Sequence, residues 1–518
     1  MKRFIPAWYG AEIWWKSMQT AFYEQQSVTE YDELISLMTM HLKNDKAFEI
    51  VLLHYQPELR LFLHRNDLYE ATYWSVFDEI QGFTKRPTQS VDYRSLNWSD
   101  HTEFIYTPHL VRAIESEATY SNIYFNQEGY LNRIERYDDD VLKFSYIFDD
   151  RGYLSSYVTY NNAAQPIYQY YMTIHGDWIM REDVMHGEVT IAENYQSQFQ
   201  HSTYSSMESI ISERLRHYLE NIDTSVPFVV AADDRHHAII EKEIASHLLC
   251  FSIYQQREPY MEVPQYQALQ SGDFILVDTQ HQELRLKHYF ETVPHSQKLM
   301  RITPFATEVL PNISSQLYEY NIGVWIDGIT TGALQETLKY FNTYMDEDEN
   351  IRIVLLRREA TLPVPAWLNT YVAQVNEQRN ATDVVSQEVD ELLEDEPIEY
   401  IKVQTVPFEN DVIEAMSTLR LTVDLRKEPD LYLQICGLSA GIPQINRQQT
   451  EYVQHHQNGY IIESAKQLPE ALDYFFHHLK NWNQSYAFSM KLAKHYRSDR
   501  ILKQLDEWLE GVSYGTEN

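Results

Sequence analysis

Just past the apolar run Phe228-Val229-Val230-Ala231 the chain reads Asp233-Asp234-Arg235-His236-His237. The carboxyl end of a buried strand is where α/β proteins place groups that contact ligands. Arg235 and His236 are therefore candidates for holding a sugar or an anion. A capped helix start with a solvated histidine pair is the competing reading. Further on, Gly437-Leu438-Ser439-Ala440-Gly441 imitates the Gly-x-Ser-x-Gly of hydrolases. Its setting is a helix running into a turn, where a nucleophile elbow needs a strand running into a helix, so Ser439 is not read as a nucleophile. Gly441-Ile442-Pro443-Gln444-Ile445-Asn446 marks a helix stopped by Gly and Pro, and Asn458-Gly459 ahead of Tyr460-Ile461-Ile462 marks a tight turn into a strand. His455-His456, just before that turn, reads as exposed. Phosphate-cradling glycine motifs are absent, and Cys250 and Cys436 stand too far apart for a zinc spacing. No cofactor and no metal are expected.

The elements that must position these residues follow an alternating pattern. Phe4-Ile5-Pro6-Ala7-Trp8-Tyr9 reads as a buried first strand entering a loop. Helical spacing follows at Leu34, Ile35, Leu37, Met38 and Leu42, then a strand over 47–53. The alternation resumes with a helix over Met207–Leu219, the strand Phe228–Ala231, a helix through Ile239–Leu249 and the strand Phe274–Val277. A third stretch repeats it: strand Gly323–Asp327, helix Ala333–Tyr344, strand Ile351–Leu356, strand Ile401–Val406, then Leu419–Leu425 and closing helices over Leu468–Leu479 and Gln484–Leu509. Short apolar strands alternating with helices predict parallel sheets covered on both faces. Between about 121 and 192 the texture changes to Tyr, Ile, Val and Gly in alternation. Phe125-Asn126-Gln127-Glu128-Gly129-Tyr130-Leu131 is echoed by Phe148-Asp149-Asp150-Arg151-Gly152-Tyr153-Leu154. Both read as hairpin turns of an antiparallel meander.

Composition excludes whole classes of function. The 518 residues carry 76 acidic and 42 basic side chains, a formal charge of -34. A body this negative repels nucleic acid and anionic lipid unless it carries a concentrated basic patch, and no Lys/Arg block appears. Two cysteines exclude a disulfide framework. No apolar run of about 20 residues could cross a bilayer, and the start lacks a signal-peptide core, so a cytoplasmic protein without an integral membrane segment is expected. Met345–Asn350 reads as a solvated acidic turn, and the carboxylate-rich stretch 384–399 as an exposed helix and loop.

The Gly441-Ile442-Pro443 turn, together with the later Asn458-Gly459 turn, resembles the late carboxyl-lobe motif of retaining glycosyltransferases with the GT-B fold. The resemblance implies an α/β, GT-B-like class: two Rossmann-like lobes facing a cleft, with an antiparallel β-meander inserted in the first. The expected divisions are 1–115 and 201–312 for the first lobe, 116–200 for the inserted β-domain, 313–490 for the second lobe and 491–518 for a carboxyl-terminal crossover helix. In such enzymes basic side chains neutralise a sugar diphosphate and a spaced carboxylate pair orients its hydroxyls. Counting back from Gly441 puts that pair on Glu428 and Cys436, one carboxylate and one thiol. Glu428 also reads as a surface residue before Pro429. The basic pair falls within Asp327-Gly328-Ile329-Thr330-Thr331-Gly332, which has no Arg or Lys. At about 4 Å, a charge of the wrong sign such as Asp327 costs about 4 kcal/mol at an effective dielectric near 20. The donor-site positions Asp327, Glu428, Cys436, Gly441 and Pro443 are thus expected to form a degenerate site with no catalytic residue.

Phe4–Tyr9, Ser75-Val76-Phe77-Asp78-Glu79-Ile80-Gln81-Gly82, the meander and Gly441 through Ile462 together resemble, over the full length, the accessory Sec system protein one family. That resemblance implies a GT-B-like pseudoenzyme that helps move glycosylated serine-rich-repeat adhesins toward export. It implies the second and third accessory Sec system proteins and a SecA-type motor ATPase as partners, along with the adhesin and its N-acetylglucosamine-bearing repeats. The competing readings are an active glycosyltransferase that modifies the adhesin and a scaffold that touches only proteins.

Overall fold

The computed structural model describes residues 1–10, 13–16, 32–84, 87–254, 257, 269–360, 362–386 and 397–511. They fall into two compact units, one ending at Ile302 and the other running from Thr303.

The first unit contains strands β1 (Lys2–Ile5), β2 (Phe48–Leu52) and β3 (Thr72–Ser75), then β4 (Glu103–Tyr106), β5 (Val111–Ile114), β6 (Thr119–Phe125), β7 (Leu131–Asp138), β8 (Val141–Phe148), β9 (Leu154–Tyr160), β10 (Pro166–Met172), β11 (Trp178–Asp183), β12 (Val189–Ile191) and β13 (Thr203–Tyr204), and finally β14 (Phe228–Ala231), β15 (Leu249–Ile253), β16 (Phe274–Val277) and β17 (Lys298–Arg301). Seven of them form a parallel sheet in the order β17-β16-β15-β14-β1-β2-β3. Every residue of β1, β14, β15 and β16 is buried, which is why β14 and β16 read as unbroken apolar runs. The helix Met207–Leu219 packs on this sheet, with Ile210, Ile211 and Leu215 in one cluster with Phe228, Val230 and Phe251.

One expected element is corrected here. The helix next to β14 spans Asp234–Ile244, and Leu249 opens a strand instead of ending a helix. Apolar residues continue across this helix–strand junction, and periodicity alone does not separate the end of one from the start of the other.

The ten strands β4 to β13 form an antiparallel sheet in chain order. The expected boundary at 116 cuts this sheet, because β4 and β5 lie ahead of it. The two echoed segments are the same device used twice, the turns of the β6–β7 and β8–β9 hairpins, with Gly129 at φ 82° and Gly152 at φ 86°. They differ in what surrounds them. A Cβ at Gly152 would sit 2.2 Å from the Gln89 carbonyl oxygen, whereas one at Gly129 would meet nothing within 4 Å. Arg151, beside Gly152, is buried. It donates to both Asp78 oxygens at 2.7 and 2.9 Å and to Asp149 at 2.7 Å. Asp78 belongs to the helix Val76–Gln81 that follows β3, so this ion pair pins the meander to the parallel sheet.

The second unit contains β18 (Tyr320–Trp325), β19 (Ile351–Arg357), β20 (Ile401–Thr405), β21 (Leu419–Asp424), β22 (Gln444–Asn446) and β23 (Gly459–Ile461). They form a parallel sheet in the order β20-β19-β18-β21-β22-β23. The helices Thr331–Glu347 and Leu468–Phe476 cover it through Leu338, Phe341, Leu472 and Phe475. Met345 to Glu347 complete the first of these helices, so the expected acidic turn is confined to the residues after it. The closing stretch is two helices, Leu479–Ala493 and Ser498–Leu509. At the break between them the Thr307 hydroxyl donates to the Ala493 carbonyl at 2.6 Å, and the Thr307 N–H to that of Tyr496 at 2.9 Å. Residues 387–396 of the acidic stretch lie outside the described residues.

Candidate functional site

Parallel order brings the loops after β18, β19 and β21 to the same edge of the second sheet. Trp325 ends β18 and is buried. Two guanidinium groups lie against its indole, Arg358 from the β19 exit at 5.2 Å from the ring centre and Arg426 from the β21 exit at 5.6 Å. The segment from Asp327 to Gly332, where a basic pair was expected to be missing, has no Arg or Lys of its own, and the two cations beside Trp325 lie outside it. They come from two other strand exits, and the missed signal is an arginine within two residues of each strand's end, Arg358 directly after β19 and Arg426 one residue beyond Leu425 after β21.

Both arginines have carboxylate partners. Arg426 donates from Nη2 to Asp424 Oδ2 at 2.6 Å and from Nε to Oδ1 at 3.0 Å. Burial works against the Arg426 charge, but the hydrogen bonds and charge of Asp424 outweigh it and hold its pKa above the ordinary arginine value. Arg358 donates from Nη2 to Asp430 Oδ1 at 3.2 Å. Asp430 also caps the helix Leu431–Ala440 through the Leu433 N–H at 2.9 Å, and its own N–H donates to Asp424 at 2.7 Å. Both carboxylates are almost wholly buried, at 1% and 4% exposure.

The sequence-predicted positions fall around this cluster. Asp327 accepts the Arg358 N–H at 2.5 Å and the Glu359 N–H at 3.1 Å, so its carboxylate holds the turn after β19. Gly328 has φ 75°, and a Cβ there would come 3.2 Å from Arg426 Cδ. Glu428 is half-buried in the loop ahead of Asp430. Cys436 is buried within the helix, and burial pushes its thiol pKa up, which keeps it protonated. Gly441 closes that helix in the left-handed conformation, φ 73°, with the Ile442 N–H returning to the Gly437 carbonyl at 3.0 Å. Pro443 then leads into β22. The neighbouring Asn458 fixes the turn before β23, accepting the Gln454 N–H at 2.9 Å and donating to the Tyr452 carbonyl at 2.8 Å. His455 and His456 are exposed.

In the first unit, Arg235 and His236 sit at the β14 exit. The Arg235 guanidinium is held by Asp233 at 2.6 and 2.8 Å and lies over the Tyr9 ring. His236 is fully buried. Its Nε2 meets the Ala231 carbonyl at 2.9 Å, which makes Nε2 the donor and leaves Nδ1 to accept from the Tyr9 hydroxyl at 2.6 Å. Burial lowers the His236 pKa to about 4, against the pull of Asp233. The Tyr9 ring is the hub of this edge, 4.8 Å from Trp14, 5.4 Å from His54 and 5.5 Å from His236. Among the described residues no group of His, Cys, Asp and Glu is placed to hold a metal ion, and no helix is long and apolar enough to cross a membrane.

Two parallel α/β units, one bearing an antiparallel insert, define a protein of the GT-B-like fold class. The fold is shared with the pneumococcal O-GlcNAc transferase GtfA, solved with UDP and GlcNAc, at TM-score 0.72 over 99% of both chains and 12% identity. The profile of the accessory Sec system protein one family matches residues 1–512, and the chain belongs to that family. It is 42% identical to the family's protein from Staphylococcus aureus over the whole of both chains. It is also similar, at TM-score 0.79 and 26% identity over 99% of both chains, to a chain in a crystal structure of accessory secretory proteins 1, 2 and 3 of Streptococcus pneumoniae. Membership places the chain in the accessory Sec system.

Proposed function

We propose that the chain is a non-enzymatic adaptor in export of glycosylated serine-rich-repeat adhesins. It works in the cytoplasm and meets the membrane only through the translocation machinery. In this reading it assembles with the second and third accessory Sec system proteins, holds the glycosylated adhesin and passes it to a SecA-type motor. The observation that carries the reading is the pairing of Arg426 with Asp424 and of Arg358 with Asp430. A diphosphate entering beside these arginines would face two buried carboxylates that already match their charge, and it would have to displace or repel them. The pneumococcal structure, which contains accessory secretory proteins 1, 2 and 3, supports the assembly.

The convergence of Arg358 and Arg426 on Trp325 favours a second reading, an active transferase that adds N-acetylglucosamine or glucose to the same adhesin. A pull-down with the full chain separates the two. The adaptor retains the second and third accessory proteins and favours glycosylated over unglycosylated adhesin. It also shows no thermal shift with millimolar nucleotide sugar and no release of nucleotide diphosphate. Turnover of a labelled donor sugar would replace the adaptor with the enzyme.

A further inference from the structure

Arg420 is the second residue of β21, at the edge where the chain enters the second sheet, and it is 9% exposed. Of the four arginines buried among the described residues, Arg3, Arg151 and Arg357 each donate from the guanidinium to an oxygen. Arg420 donates to none, and its Nη1 is buried without a partner. The guanidinium lies 4.0 Å from the centre of the Trp482 indole, whose Nε1 donates to the Arg420 carbonyl at 3.2 Å. Burial holds the Arg420 pKa below the ordinary arginine value, and the Tyr320 hydroxyl is the group that works the other way. A charge taken out of water without a counter-charge is costly, and an indole face offsets only part of that cost. The chain carries 76 acidic side chains against 42 basic ones, so a shortage of carboxylates does not explain why this cation stands without one.

Exposed apolar groups surround it. Leu479, Trp482 and Tyr486 share one face of the helix Leu479–Ala493. Leu479 is 60% exposed, and the Tyr486 ring, also exposed, stacks on Trp482 at 6.0 Å. Gly441 makes room for that ring, since a Cβ there would come 2.5 Å from Tyr486. Tyr318, exposed, lies two residues ahead of β18. Ile313, exposed as well, donates its N–H at 2.7 Å to the carbonyl of Ser417, just ahead of β21. An arginine and two aromatic rings within an apolar surround have the composition of a protein-binding hot spot. The charge selects the occupant. One guanidinium, on which no second cation acts, matches a single carboxylate gripped by its planar fork. A phosphate dianion asks for more positive charge than this edge supplies, and a chain of net charge -34 repels it more strongly. We infer that the strand-entry edge of the second sheet, centred on Arg420 and Trp482, docks a partner protein that presents one carboxylate among apolar side chains. This face lies at the opposite end of the strands from the Trp325 cluster, and the inference holds whether the chain is an adaptor or a transferase.

The test uses the full chain with guanidinium-labelled arginine, titrated with acetylated leucyl-glutamate amide and, as a control, with the leucyl-glutamine amide. The expected result is a saturable shift of one arginine resonance, absent from Arg420→Met, with the glutamate peptide and not with the glutamine one. Arg420→Met, which keeps an apolar chain over the indole, should weaken binding of the glutamate peptide by about tenfold or more. Leu479→Ser, a change at an exposed position, should weaken it less and leave the fold intact. The melting temperature of free Arg420→Met is read in parallel. It should stay level or rise, because no hydrogen bond is lost, and a fall of several degrees would show a purely structural arginine and overturn the site. Equal shifts with both peptides, or none with either, overturn it too. A shift with inorganic phosphate alone would replace the carboxylate with a phosphate ligand. Self-association of the native chain that Arg420→Met abolishes, seen by sedimentation, would replace the partner protein with a second copy.

Discussion

Asp424 grips the Arg426 guanidinium with both carboxylate oxygens, through Nη2 at 2.6 Å and Nε at 3.0 Å. Replacing Asp424 with Asn keeps the shape and removes one negative charge beside two arginines. An opposing unit charge near 4 Å is worth about 4 kcal/mol at an effective dielectric near 20, an upper figure for a group reached by water. Asp424→Asn should therefore bind inorganic pyrophosphate or UDP measurably where the native chain does not, by calorimetry at low salt, and the gain should fade as salt is raised. Failure to bind in a folded Asp424→Asn chain would mean that the carboxylates are not what closes the site.

Arg151 and its partners are buried, so removing the guanidinium leaves Asp78 and Asp149 without their cation. Breaking a buried ion pair from one side typically costs about 3–5 kcal/mol. Arg151→Met should lower the denaturation midpoint of the first unit by an amount of that order. Near-ultraviolet circular dichroism should report loss of packing in both the meander and the parallel sheet. A change confined to the meander would show that the pin does not couple the two.

The two hairpin glycines separate backbone conformation from space. Gly129→Ala meets open space and should cost about 1–2 kcal/mol, the price of a left-handed residue with a Cβ. Gly152→Ala adds a clash with the Gln89 carbonyl and should cost clearly more. Equal midpoint shifts in urea would count against the close packing at Gly152.

Burial holds the His54 pKa down to about 3, against 6.5 for an exposed histidine. Between those values the unfolded chain binds the proton and the folded chain does not, so this group's contribution to stability falls as pH falls below about 6.5. Other groups work the opposite way. Burial raises Glu33 and Asp150 to about 7, and the folded state binds their protons first. Comparing native with His54→Gln isolates the histidine. The stability difference between them should shift against the native chain by about 2 kcal/mol from pH 7.5 to pH 5, at about 1.4 kcal/mol per unit. A pH-independent difference would mean that His54 titrates normally.

Much of the fold was legible because buried parallel strands announce themselves. Phe228–Ala231 and Phe274–Val277 carry nothing but apolar residues, and the hairpin turns carry glycines with positive φ. Leu249–Ile253 was not legible as a strand, since it follows a helix whose apolar residues run almost up to it. At the second sheet the sequence located Asp327 and Gly441 but not the arginines around Trp325. Spacing along one loop cannot show that Arg358 and Arg426 meet, because strand order alone brings the β19 and β21 exits to the same indole.

The Arg151–Asp78 bond also bears on how load travels through the molecule. A ten-stranded sheet hung on flexible tethers alone would swing freely. Anchored by a two-toothed bond within the hairpin turn itself, the meander transmits any pull directly to the helix after β3 and the parallel strands behind it. The two sheets of the first unit are thus joined by a buried side-chain bond as well as by the chain that runs between them.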